Sequence, residues 1–153
     1  MEKREKKKKN KIVRWKKIIG SSFFLGKIKG GGTYSSVAAG LLLFFCLNWT
    51  SPYYFIVLFV VLCLGTFLSL EIQDDPSWFT LDEVIGTMVT FAFHNKDLST
   101  LTIGLVLFRL FDIFKLPPIK KVEHLKTGIV LDDIIAGLLA SVFLFVLHSL
   151  KPL

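Results

Sequence analysis

Between Gly30 and Leu70 the chain has no Asp, Glu, Lys or Arg. A charge-free run of about 40 residues has no place on a small soluble domain, and it is long enough for two bilayer crossings of roughly 20 residues each. Charge is scarce overall, at 20% of 153 residues against 52% hydrophobic, and mean hydropathy is +0.58. A soluble fold of this size lacks the polar surface to cover so much apolar material. Cysteine is nearly absent. Cys46 and Cys63 lie in apolar runs, which excludes a disulfide framework or a thiolate metal motif and marks them as small buried hydrophobes. No small-residue cleavage site follows a compact apolar core, so the N-terminus does not read as a secretory signal.

Basic residues are concentrated at one end: ten of the 19 Lys and Arg fall within the first 17 positions. Such a block suits nucleic acid or anionic lipid headgroups. Beside long apolar runs the headgroup reading is the stronger, with residues 1–17 as a disordered cytoplasmic tail and no nucleic-acid partner. Residues 18–153 then form one membrane-embedded domain.

The expected architecture is all-α, an integral membrane bundle of about four to five apolar helices with short cytoplasmic loops carrying the active site. "NWTSP" (48–52) breaks the first apolar run into a helical hairpin, and Trp49, Tyr53 and Tyr54 suit an interfacial aromatic belt. "VIGTMVTFAF" (84–93) and "LSTLTIGLVLF" (98–108) flank the turn "HNKD". They reach spanning length only if their helices begin near Ser77 and end near Leu116; a re-entrant pair is the alternative. Ile134 to Leu150 gives a last crossing. With the tail inside, Lys115, Lys120, Lys121 and Lys126 fall on the cytoplasmic side, as the positive-inside rule requires.

The same topology puts Asp82, Glu83, Asp112, Asp132 and Asp133 at one membrane face, from three segments. Ionisable groups at such depths are costly and usually functional. Converging carboxylates repel one another unless a cation is present, and Mg²⁺ favours carboxylate oxygens while keeping waters that a phosphate can displace. Arg109, Asp112 and Lys115 are spaced three apart, so one helix face presents a carboxylate between two cations suited to phosphate. Structural roles compete with this: acids at helix N-termini and an i,i+3 ion pair.

"GKIKGGGTYSS" (26–36) offers backbone N–H groups and Thr33 to a phosphate at a helix start, although it lacks the lysine of a P-loop. His94 and His148 are expected at the far end, away from the acids, and His124 in a loop. No Ser-His-Asp or Cys-His set assembles on one side.

"LDEVIG" (81–86), "LFRLFDIFKLPPI" (107–119) and "GIVLDDIIAG" (128–137) resemble the three signature blocks of phosphatidylglycerophosphatase A, and "GGGTYSS" resembles that family's N-terminal glycine- and threonine-containing block. The resemblance runs in order from about Gly20 to the end. It implies an all-helical, Mg²⁺-dependent enzyme of the bacterial inner membrane that releases the terminal phosphate of phosphatidylglycerophosphate. By position, Asp82 and Glu83 match the family's acidic pair, Arg109, Asp112 and Lys115 its Arg, Asp and Lys, and Asp132 and Asp133 its final pair. All five acids are expected to serve as metal ligands or catalytic groups, with Arg109, Lys115 and Thr33 on the phosphate. "KLPP" and the short "KTGIV" depart from the family pattern.

Which acids ligate and which acts as base stays open at this level, as does oligomeric state. A phosphatase for another lipid or isoprenoid phosphate has the same catalytic logic. A divalent-cation carrier is the rival of another class, and it would need acids along the whole path rather than at one face.

Overall fold

The computed structural model describes residues 15–70, 77–115 and 128–150. Among these residues five α-helices carry the fold: α1 Gly31–Cys46, α2 Pro52–Ser69, α3 Leu81–Phe91, α4 Leu98–Phe114 and α5 Gly128–Leu150. Residues 15–20 are also helical, Leu25–Lys27 form one 3₁₀ turn, and there is no strand among the described residues. The basic tail up to residue 14, the "LPP" motif, Lys120, Lys121, Lys126 and His124 lie outside the described residues.

Local chemistry sets the helix ends. The hairpin turn expected at "NWTSP" is present, with Ser51 capping α2 by accepting from the Tyr53 N–H at 3.4 Å and Pro52 in the first turn. Asp97 caps α4 more tightly, accepting from the Thr100 N–H at 2.7 Å. Lys115 ends α4 in the left-handed region, at φ 39°.

The short helix α3 is central, in contact with each of the other four. Gly86 on α3 and Gly137 on α5 let those two backbones cross closely; a Cβ at Gly137 would run into the Gly86 carbonyl oxygen, and one at Gly86 would lie 2.8 Å from the Asp133 carbonyl oxygen. Around this crossing the core holds Ile85, Met88, Phe91, Phe108, Ala136 and Leu144.

Two helices, α2 and α5, are long and apolar enough to cross a membrane. Only 22% of α2 and 39% of the α5 window are buried. Ile56, Phe59 and Phe67 on α2, with Val142 and Phe145 on α5, are exposed and form an outward-facing apolar belt. The spanning length expected for α3 is not reached. Its 11 residues rise about 16 Å, roughly half a hydrocarbon core. Residues 77–80 run as turns instead of helix, and the Thr80 N–H bonds the Gly20 carbonyl at 2.8 Å.

Two further expectations are corrected. Trp49 and Tyr54 are not an interfacial belt: both are fully buried, Trp49 stacked on Phe91 at 4.5 Å between centroids and Tyr54 donating its hydroxyl to the Met88 carbonyl at 2.6 Å. Tyr53 alone of the three is exposed. Cys46 and Cys63 are exposed as well, because the surfaces of α1 and α2 that carry them face outward among other apolar side chains.

Candidate phosphate and metal site

The acids sit on helix ends rather than on the loops expected to carry them. Asp82 and Glu83 occupy the first turn of α3, and Asp132 and Asp133 the second turn of α5. In both pairs the first aspartate accepts from the next residue's N–H, at 3.0 Å for Asp82 and 3.1 Å for Asp132. That local bond orients the first carboxylate and leaves the second to reach inward. Because α3 and α5 touch at Gly86 and Gly137, the two pairs meet.

They meet in a cavity of about 270 Å³ lined by Asp82, Glu83, Asp132 and Asp133, by Asp112 and Lys115 from the end of α4, and by Ser77 and Phe79. Asp82, Asp132 and Asp133 are only 7%, 6% and 3% exposed. Ligand oxygens of Asp82, Glu83 and Asp133 lie within 4.8 Å of one another, and one Glu83 oxygen, Oε2, is buried with no partner among the described residues. Three carboxylates this close, two of them buried and Glu83 half-buried, repel strongly unless protonated or joined by a cation. An orphaned carboxylate oxygen within such a trio, on the wall of a polar cavity, fits a hard divalent ion.

The other two acids are paired with cations. Lys115 Nζ donates to Asp132 Oδ2 at 3.0 Å, and Arg109 Nη1 lies 2.7 Å from Asp112 Oδ2. Arg109 also donates to Ser36 Oγ at 3.4 Å, while its Nε is buried without a partner among the described residues. The arginine is therefore half committed, and it is positioned from two sides, by Asp112 and by α1.

The glycine-rich block joins the site, though not through Thr33, which is exposed and does not line the cavity. Gly32 and Ser36, one helical turn apart, make the approach. Gly32 packs directly on the Glu83 carboxylate; a Cβ there would overlap Oε1 and lie 3.3 Å from Arg109 Nη2. Ser36 holds Arg109 while donating its own proton to the Gly32 carbonyl at 2.9 Å. Ser77 and Phe79 also line the site, although the sequence marks them only as the expected start of a helix.

A second polar group gathers at the opposite end of the bundle. Asp97 accepts from Thr100 Oγ1 at 2.6 Å, Thr100 Oγ1 lies 3.0 Å from His148 Nε2, and His94 Nε2 lies 2.9 Å from Ser141 Oγ. The expectation that both histidines stand away from the acids holds. Hydroxyl, imidazole and carboxylate do come together here, contrary to expectation. The carboxylate bonds the threonine and not an imidazole, however, so the order needed to activate a nucleophile is missing. Burial, then the neighbouring His148, lower the His94 pKa, with the Ser141 bond opposing. Burial pushes Asp97 up, but its bonds from Thr100 and the nearby His148 outweigh this and leave it below its ordinary value.

Comparison with known proteins is independent of this geometry. The family model described as phosphatidylglycerophosphatase A matches residues 18–148. Phosphatidylglycerophosphatase A of Escherichia coli (strain K12) is 31% identical over 134 residues, covering 80% of this chain and 76% of that protein. No solved structure matches. The match takes in every residue that lines the acidic cavity and the α1 turn that closes on it, so the chain is a phosphatase and belongs to the phosphatidylglycerophosphatase A family.

Proposed function

We propose that this protein is a membrane-embedded phosphatase that hydrolyses phosphatidylglycerophosphate to phosphatidylglycerol and inorganic phosphate, with its site at the cytoplasmic face of a bacterial inner membrane. The observation that carries the reading is the cavity itself, a largely buried carboxylate trio faced by one lysine and flanked by one arginine. The same reading takes the apolar belt of α2 and α5 as lipid-facing and the cavity as lying near headgroup depth.

In this reading Lys115 and Arg109 bind the non-bridging oxygens of the phosphomonoester. Their present carboxylate partners, Asp132 and Asp112, keep them in place until the phosphate arrives. Asp82, Glu83 and Asp133 would hold Mg²⁺, which supplies Lewis-acid neutralisation of phosphate charge when bound. A carboxylate of the trio, Asp133 or Glu83, takes a proton from the attacking water as its oxygen bonds to phosphorus, and the P–O bond to the glycerol breaks. The departing alkoxide takes up a proton from solvent. Ser36 and Gly32 act earlier, by placing Arg109 and Glu83.

A cation carrier is disfavoured by what separates the two polar ends. Between Glu83 and His94, between Thr100 and Arg109, and between Asp133 and His148 there is no acid, base or histidine. The reading is tested by phosphate release from phosphatidylglycerophosphate by the detergent-purified protein. Release in Mg²⁺ that stops in EDTA and resumes on adding Mg²⁺ is expected, with slower release from phosphatidic acid. Equal release in EDTA would refute the metal assignment, and no release under any condition would refute the substrate.

A further inference from the structure

α1 and α2 are joined by a short turn, yet they scarcely touch each other; α3 packs behind both. The gap between them is an open groove of about 360 Å³. Ala38, Ala39 and Leu42 of α1 form one wall, Val57 and Val61 of α2 the other, and Met88 of α3 part of the floor. The alanines make it a groove, since larger side chains there would close the gap.

Its polarity is graded. The lining carries two hydroxyls, Ser22 and Ser35, and both lie at the end of α1 that meets the acidic site. Neither hydroxyl oxygen has a partner among the described residues although both are buried, and Ser35 as a whole is 1% exposed. A helical serine ordinarily satisfies itself on the preceding turn, as the adjacent Ser36 does with the Gly32 carbonyl. Leaving Ser35 unsatisfied costs free energy that a ligand acceptor would recover. One turn of α1 thus turns Gly32 and Ser36 toward Glu83 and Arg109 and presents Ser35 to the groove.

We infer that the groove seats one ester-linked acyl chain of the substrate, with the ester carbonyl accepting from Ser35 and Ser22 and the hydrocarbon running between α1 and α2. This rests on the lipid-phosphatase reading of the acidic cavity. The order along the molecule matches that of a phospholipid: phosphate, then ester oxygens, then methylenes.

The test compares kcat/KM for the diacyl substrate with that for its deacylated, water-soluble headgroup, in wild type, Ala39→Phe and Ser35→Ala. A diacyl lipid phosphate with a diazirine on one chain provides a direct binding readout. Ala39→Phe is expected to lower the diacyl-to-deacylated ratio at least tenfold and Ser35→Ala several-fold, with photolabelling of α1 and α2 in wild type lost in Ala39→Phe. Should Ala39→Phe not purify as a folded species, Ser35→Ala and the labelled positions in wild type decide. An unchanged ratio in both variants, or labelling confined to other helices or to a second protein chain, would overturn the groove and leave the phosphatase reading intact. Phosphate release from neither substrate by wild type would sink that reading instead, and labelling on or off α1 and α2 would then support or overturn the groove by itself.

Discussion

Gly32 contributes by having no side chain. The Glu83 carboxylate rests where its Cβ would be, and Arg109 lies just beyond. Gly32→Ala is expected to push Glu83 and Arg109 out of register and lower kcat/KM by roughly a hundredfold, the scale of a 1 Å misplacement at a reacting centre. Steady-state kinetics on protein confirmed to be folded would check this, and near-wild-type turnover would mean that the α1 turn does not set the site. The residue scale also shows what the sequence could reveal. Asp112, Arg109 and Lys115 stand out in "LFRLFDIFK" because charge in an apolar run is expensive. Ser36 does not stand out, because its contact with Arg109 spans 73 positions and depends on how α1 docks. Thr33 stands out in the sequence for its hydroxyl, but the helix turns it outward and brings Gly32 and Ser36 to the acids instead.

At the scale of elements, the crossing of α3 and α5 sets the distance between the two acidic pairs. Gly137→Leu would wedge the helices apart at the Gly86 carbonyl and separate Asp82 and Glu83 from Asp133. Activity is expected to fall by more than about a hundredfold while α5, more apolar than before, still inserts. Phosphate release alongside membrane fractionation would check it. The far ends of α4 and α5 carry a different prediction. A histidine whose folded pKa is depressed binds fewer protons folded than unfolded, so the stability tied to His94 is fully present above its unfolded value of 6.5 and declines as pH falls through it. Asp97, also depressed, adds stability above 3.8 that is lost at still lower pH. Between pH 7.5 and 5.5 the wild-type Tm should therefore fall further relative to that of His94→Gln; parallel curves would contradict this account of the cluster. Helix identity was legible from apolar runs and caps such as Ser51 and Asp97. The length of α3 was not, because "SWFT" keeps the composition of a helix start while its backbone is held by Gly20.

Over the whole molecule, polarity is segregated. A buried acidic cavity lies at one end, a histidine network at the other, and an apolar core and apolar belt between them. That segregation was readable from the charge-free runs, which forced the acids of three segments to one end. Burial of Trp49 and Tyr54 was not readable, since an aromatic beside a turn serves equally as an interfacial anchor or as a plug over Phe91 and Met88. The role of these carboxylates in the phosphatase reaction is best probed at Asp133, which is 3% exposed, within the carboxylate trio, and in no ion pair among the described residues. The measurement is phosphate release from phosphatidylglycerophosphate by Asp133→Asn, an isosteric change, beside wild type at equal folded concentration in Mg²⁺. A fall of at least about a hundredfold is expected, the scale for removing a carboxylate that would hold the metal or accept the water's proton. Turnover within a few-fold of wild type would contradict it.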